Sequence, residues 1–400
     1  MQRRSGQANA AGLEALLAPV SLDEFLGGQF GRGPLHLSGG SGRFGDLLNE
    51  DGLARLLETH SLDDDRLRVV RQGKDIPRER YVRTRRGMGR IDGGAFSLLL
   101  DSGATLIVNH IDDLVPAVAA IADDVGDRLG ARTAVNLYAS WRSEHGFDPH
   151  WDHHDVLVLQ LAGRKKWSIY RPTHANPLRG DPFVPPGKED APDFEELLED
   201  GDLLYVPRGW IHAPVPAGDL SLHLTISITR PTGAGFLEWL ASELKADPEV
   251  RATMPFAVDE KSLDEWKARM GAIVGRALAG QAPERYLARK DADRGARPRF
   301  SFSDFGRVPP SEWNDATMLR SASLHRFVVG SAGDGGASVE ALGQSWPCGA
   351  AVAAAIARLT STRPMRLGEL QDGLSNGDAA QLRQLLVLLA TMGLLSTARG

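Results

Sequence analysis

Residues 145–155, "HGFDPHWDHHD", place four histidines and three aspartates in eleven positions, and the run continues directly into the apolar "VLVLQL". Around it, from 131 to about 230, short runs rich in β-branched and aromatic residues alternate with Gly, Pro and Asp turns. "TAVNLYAS", "DVLVLQL", "KKWSIY", "DLLYVP" and "LSLHLTISITR" read as strands. Their number and spacing suggest a barrel or sandwich, and a double-stranded β-helix is the natural candidate.

A His-x-Asp step puts two ligand-bearing side chains on one face of a strand. A site with two imidazoles and one carboxylate, leaving the opposite side of the metal open, then needs one more ligand from elsewhere. With eleven histidines in the chain, roughly one such step is expected by chance. The chain has three: His110/Asp112, His150/Asp152 and His153/Asp155. The first immediately precedes the helical pattern "DDLVPAVAAIADDVGDRLG" (112–130), so Asp112 is expected to be a helix N-cap. The other two fall on one predicted strand with opposite parity, and parity does not choose between them. Downstream, "GDLLYVPRGWIHAPVPAG" supplies a strand, a Pro-Arg-Gly turn and then His212, which could bring an imidazole in from a second strand.

Bulk properties narrow the class. The apolar fraction of 42% and charged fraction of 24% are those of an ordinary globular protein. Four hundred residues suggest two or three domains. The net charge of -6 gives no general attraction to nucleic acid or membrane. The single cysteine, Cys348, rules out an intramolecular disulfide and a Cys-based zinc cluster. No window reaches the roughly 18 uncharged apolar residues of a membrane span, and the N-terminus lacks a secretory core. A cytoplasmic protein is expected.

Outside the barrel, Ser21 reads as an N-cap and Gly27-Gly28 as a stop for a short helix in an N-terminal cap. Helical periodicity returns from 231 to about 280 and gives way to a charged, loop-like linker, "ERYLARKDADRGARPRFS". The last hundred residues have the outline of a small winged-helix-like domain. The expected division is 1–230, 231–300 and 301–400. "PRERYVRTRRGMGR" (77–90) holds six arginines against one glutamate and reads first as a solvated loop, with an anionic surface as the alternative partner. Helix "DAAQLRQLLVLLATM" carries one arginine, Arg383, in fifteen residues, too little cation for a DNA recognition helix. No specific DNA binding is expected.

"HWDHHDVLVLQLAGRKKWSIY" followed by "GDLLYVPRGWIHAP" resembles the JmjC-type ribosomal oxygenases, cupin-fold enzymes dependent on Fe(II) and 2-oxoglutarate. The resemblance extends to "LDEFLGGQFGRGPLHL" and to the order of barrel, helical dimerisation segment and C-terminal winged helix. It implies His150, Asp152 and His212 as the metal ligands, with His153 and His154 as neighbours. It implies Lys165, fifteen positions beyond the first ligand, as the cation for the distal carboxylate of 2-oxoglutarate, leaving Lys166 at the surface. Tyr138 in "NLYAS" and Ser227 in "TISI" match hydroxyl residues that share that carboxylate. The implied activity is O2-dependent hydroxylation of a protein side chain, Arg or His of a ribosomal protein, by a homodimer. The same chemistry on a peptide natural-product precursor, tRNA or small molecule, and a non-catalytic winged-helix adaptor, are the alternatives.

Overall fold

The computed structural model describes residues 12–398 except for 86–87, 143–147, 186–190, 256–259, 293–307, 323–326, 332–335, 342–343 and 360–363. The chain divides into two compact units, residues 1–230 and 231–400. None of the described helices is long and apolar enough to cross a membrane.

Unit 1 carries helices α1 (Leu13–Leu17), α2 (Leu22–Gly28), α3 (Glu50–Thr59), α4 (Gly93–Asp101) and α5 (Pro116–Leu129). Its strands are β1 (Leu35–Leu37), β2 (Leu67–Arg71), β3 (Lys74–Asp75), β4 (Val82–Arg85), β5 (Met88–Ile91) and β6 (Thr105–Val108). They continue with β7 (Arg132–Ser140), β8 (Asp155–Tyr170), β9 (Phe194–Leu198), β10 (Leu203–Val206) and β11 (Ile211–Thr229). Nine of them form one sheet in the order β1-β10-β8-β11-β7-β6-β2-β3, with β9 on β8, and β4 and β5 pair separately. Every pairing is antiparallel.

Two long strands turn this sheet into a barrel. "DVLVLQL" and "KKWSIY" are one continuous strand, as are "IHAPVPAG" and "LSLHLTISIT", where the sequence suggests separate strands. The first half of β8 pairs with the second half of β11, and the reverse. Leu157, Leu159 and Leu161 pack outward with the helices, whereas Val156 and Val158 join Trp167 and Ile169 in a small interior cluster. The inward set is therefore even-numbered before Gly163 and odd-numbered after it, and that phase change brings Lys165 inside. His223 of β11 pairs with Gln160 and Tyr138 and so faces the same interior.

Gly163 makes the phase change possible. Its φ of +65° suits glycine, and a Cβ there would lie 1.9 Å from the Leu220 backbone oxygen. Gly163→Ala is expected to cost about 2–4 kcal/mol, because strain and a backbone clash combine. Gly180→Ala, also at positive φ (+94°) but in open space, should cost only about 1 kcal/mol. Equal shifts of the urea midpoint in the two variants would refute the clash.

The N-terminal cap follows the sequence. Ser21 forms a capping box with Glu24, and α2 ends at Gly28. Other local expectations are corrected. The helix expected from 112 begins at Pro116, whose ring is preorganised for a first helical position. Asp112 is not its N-cap: the carboxylate is buried and accepts the Val135 backbone N–H at 3.0 Å. His110 precedes a 3-10 turn with left-handed backbone.

Unit 2 opens with α6 (Gly233–Leu244), α7 (Pro248–Arg251), α8 (Glu260–Ala279) and α9 (Ala282–Ala292). The segment expected to be a loop-like linker is thus helical up to 292, and its remainder lies outside the described residues. Then follow β12 (Met318–Ser321), β13 (Val328–Ser331), β14 (Ala337–Ala341), β15 (Gln344–Cys348), α10 (Ala350–Ala357), β16 (Met365–Arg366), α11 (Leu367–Gln371), α12 (Asn376–Thr391) and β17 (Leu395–Ala398). Two three-stranded sheets, β16-β12-β17 and β13-β14-β15, share a core with α10 and α12.

Candidate metal centre

His150 and Asp152 precede β8 rather than lying on it, a correction to the strand expected there. Their segment is held extended by backbone pairing to the start of β11. His150 N–H donates to His212 O at 3.2 Å, His212 N–H to His150 O at 2.8 Å, and Gly209 N–H to Asp152 O at 3.0 Å. The close pair brings the two imidazoles to 4.4 Å between centroids. One ligand atom from each of His150, Asp152 and His212 lies within 4.8 Å of the others, and this is the one such group among the described residues.

The hydrogen bonds fix the tautomers. Nδ1 of His150 lies 2.9 Å from Asp148 O and Nδ1 of His212 lies 3.1 Å from Trp210 O. A carbonyl can only accept, so each Nδ1 carries the proton and each Nε2 presents a lone pair. Nε2 of His212 already points at Asp152 Oδ2, 3.7 Å away. Burial, reinforced by the charge of His150, pushes His212 down to about 4, so it is neutral at physiological pH. Burial alone would raise the Asp152 carboxyl, but His212, His154 and His150 together hold it below its ordinary range. Two imidazoles anchored through Nδ1 and an ionised carboxylate, with their ligand atoms close together, are the donor set of a facial divalent-metal site with open positions.

The competing pair is otherwise engaged. Asp155 Oδ1 accepts from the Tyr205 hydroxyl at 2.8 Å and from Arg208 N–H at 3.1 Å. His153 stands edge-on to His154, and Nε2 of His154 is 3.9 Å from Asp152 Oδ2, at the border of the site. His145 lies outside the described residues.

Behind the triad the barrel interior is polar. Lys165 is 5% exposed, and among the described residues it has no hydrogen-bond or ion-pair partner. Burial drives its ammonium down to about 7. Lys166 points outward to Glu195 at 2.9 Å. Tyr138 stacks on His223, 5.0 Å between centroids and 6° between planes, and its hydroxyl is raised first by burial and then by the charge of Asp152. Tyr138 therefore lies against His223 and within reach of the charge of Asp152. The hydroxyl of Ser227 donates to Ala134 O at 3.0 Å. Four strand residues separate Ser227 from His223, about 13 Å at the usual rise, so Ser227 is at the other end of the interior.

His223 occupies the position beside Lys165 and was missed by the sequence reasoning. It is 2% exposed, its Nδ1 has no partner, and it is held well below its ordinary pKa by burial and then by Lys165. The signal existed: in "LSLHLTISI" His223 shares the parity of Ser227. Trp167, edge-on to His223 at 6.0 Å and 5.8 Å from His212, links the two groups, and its own Nε1 is also buried without a partner.

Residues 113–236 match the JmjC domain family. The barrel is a JmjC domain. By sequence it is similar to ribosomal oxygenase 1 of Homo sapiens, 34% identical over 193 residues, covering 46% of this chain and 30% of that protein. The bifunctional lysine-specific demethylase and histidyl-hydroxylase NO66 of Brugia malayi is 33% identical over 155 residues, covering 37% of this chain and 22% of that one. The Dictyostelium discoideum NO66 is 27% identical over 224 residues, 54% of this chain and 42% of that one. The chain thus spans less than half the length of these relatives. YcfD, a ribosomal oxygenase from Escherichia coli, shares the fold with a TM-score of 0.57 at 19% identity, covering 95% of this chain and 98% of that one. A further YcfD structure, in complex with cobalt and 2-oxoglutarate, has a TM-score of 0.56 at 18% identity, with 95% and 98% covered. The JmjC barrel here supplies a donor set fit for iron and, behind it, a buried lysine with no acid beside it.

Proposed function

We propose that this chain is an Fe(II)- and 2-oxoglutarate-dependent oxygenase that hydroxylates a protein side chain, Arg or His of a ribosomal protein. The observation that carries the cosubstrate is Lys165: a buried ammonium without a counter-ion is costly, and a carboxylate arriving beside it removes the penalty. His150, Asp152 and His212 would hold the iron, and Lys165, His223 and Tyr138 the distal carboxylate. Iron with 2-oxoglutarate and O2 supplies the oxidising power for C–H hydroxylation. The chain's own part is positional. The two backbone-bonded imidazoles keep their lone pairs on one side of the metal, and the apolar cluster around Val156, Val158 and Ile169 keeps water from the inner end. The names of the curated relatives support the ribosomal substrate.

Oxygen-free protein given Fe(II) and then 2-oxoglutarate is expected to develop a visible metal-to-ligand charge-transfer band. A folded, iron-binding protein without that band would overturn the reading.

His223 gives a sharper test of the pocket. His223→Phe keeps the ring on Tyr138 and removes both nitrogens, of which Nδ1 is buried without a hydrogen-bond partner among the described residues. A lost hydrogen bond to a charged acceptor corresponds to about 10- to 100-fold weaker 2-oxoglutarate binding, with iron affinity unchanged. Calorimetric titration of the metal-loaded protein would reveal it, and unchanged affinity would remove His223 from the pocket.

The helices of unit 2 support a homodimer: Leu237, Leu278 and Leu287 are 58%, 46% and 55% exposed. We read the C-terminal part as a winged-helix-like module for packing rather than for DNA, because Arg383 donates to Trp313 O at 2.6 Å.

A further inference from the structure

The loop that follows β8 packs against the segments that carry the metal ligands. Over residues 173–184 it closes on itself. The Thr173 hydroxyl donates to Val184 O at 2.6 Å, and Asp181 accepts the Leu178 N–H at 2.8 Å and lies 3.1 Å from Nε2 of His174. A short loop with joined ends holds its shape without strand pairing. It is braced on both ligand segments: a Cβ on Gly209, whose N–H holds Asp152 O, would lie 2.7 Å from Cδ of Pro177. The ring of Phe183 stands 6.4 Å from that of Trp151, the residue between His150 and Asp152.

Two cations belong to this corner. Arg179 is on the loop, two residues after Pro177, and Arg208 immediately precedes Gly209, so the Pro177–Gly209 contact brings their backbones together, and both charges act on His153. The nearby acids are already engaged. Asp181 holds the loop as described, Asp193 takes Arg171 at 2.8 Å, and Asp155 accepts from the Tyr205 hydroxyl and the Arg208 backbone. Among the described residues neither guanidinium has a hydrogen-bond or ion-pair partner. The same loop exposes apolar surface: Leu178, Phe183 and Val184 are 38%, 41% and 47% exposed.

We propose that loop 173–184 and the Arg208 turn bind a peptide through an acidic side chain with apolar neighbours, and so dock the flank of a protein substrate beside the triad. A carboxylate matches the planar fork of a guanidinium and would offset the repulsion between the two arginines. Apolar neighbours would cover Leu178, Phe183 and Val184. A nucleic acid fits less well, because Leu178 and Val184 are aliphatic and give bases nothing to stack on, and the net charge of -6 gives it no general attraction. Docking of a substrate rests on the reading that the chain acts on a protein, whereas peptide binding itself does not.

The test uses the full chain without iron or 2-oxoglutarate, so failure of the oxygenase reading leaves its outcome intact. The probes are a fluorescein-labelled Glu-Leu repeat peptide, its Gln-Leu counterpart and an oligouridylate, followed by anisotropy. The acidic peptide is expected to bind saturably and at least about tenfold more tightly than either of the others. Arg179→Gln with Arg208→Gln should erase its advantage over the Gln-Leu peptide, and Arg179→Gln alone, a change at an exposed loop position, should cut it at least about threefold. Phe183→Ser with Val184→Ser should instead weaken both peptides about threefold or more and keep the advantage. Lys261→Gln with Arg276→Gln, a charge-matched change in α8, should alter nothing. Circular dichroism checks that each variant is folded. No saturable binding of the acidic peptide, equal affinity for the Gln-Leu peptide, tighter binding of the oligouridylate, or an advantage that survives Arg179→Gln would each overturn the proposal.

Discussion

Asp152→Ala is expected to abolish the iron and 2-oxoglutarate charge-transfer band and to weaken divalent-metal binding by at least about 100-fold, while the fold persists. The carboxylate is the one anionic donor in the cluster, so its loss leaves two neutral imidazoles facing a dication. Removing it also relieves rather than creates a burial problem: burial works against its charge, and four neighbouring histidines offset that. The neighbouring step provides the contrast. Asp155 accepts from Tyr205 and from Arg208, so Asp155→Ala leaves two donors without an acceptor. That variant should lose about 1–3 kcal/mol of stability and keep its metal affinity. His153→Ala should keep both. Measured together by metal titration and urea unfolding, the three variants assign the two His-x-Asp steps. Retained metal binding in Asp152→Ala would sink the triad.

That contrast also shows what could be read from the sequence. The barrel strands, the N-cap at Ser21 and the candidate ligand types were legible because each depends on local chemistry or on a period of two. Which His-x-Asp step converges with His212 could not be read from spacing, since His150 and Asp152 lie ahead of the strand and owe their direction to pairing with Gly209 and His212, some sixty residues away. Phase was the other hidden quantity. A positive φ at Gly163 shifts the inward set by one residue in mid-strand, so alternation counted through "LVLQLAGRKKW" would have put Lys166 inside. The same accounting applied to β11 selects His223, which a search for hydroxyl residues passed over in favour of Ser227. Asp112 failed for a different reason: an acid ahead of a helical pattern has more than one backbone N–H within reach, and the strand claimed it.

Lys165→Met should raise the dissociation constant of 2-oxoglutarate by about 100- to 1000-fold, because the distal carboxylate would then be buried with no cation beside it. Metal binding should be unaffected, and the free protein should become more stable, since methionine fills similar space without a charge to desolvate. The wild type should also carry a pH signature. Burial places the free ammonium at about 7, far below its ordinary value of 10.5. Between those two values the unfolded chain binds more protons at this position than the folded one, so the contribution of Lys165 to stability rises with pH across that window. Ligand affinity runs the other way. A bound carboxylate favours the protonated amine, so complex formation above pH 7 must take up a proton, and affinity should fall by up to about tenfold per pH unit. His223, which interacts with the lysine, and Tyr138, which stacks on His223, do not mimic this: the first is lowered well below its ordinary value and the second is raised. Titration of the metal-loaded protein with 2-oxoglutarate from pH 6.5 to 9, repeated in Lys165→Met and Lys165→Arg, separates the possibilities. Arginine stays charged throughout, so its slope should vanish even where affinity is retained. A wild-type affinity flat across that range, or the same slope in all three proteins, would show that Lys165 is not the group that meets the carboxylate.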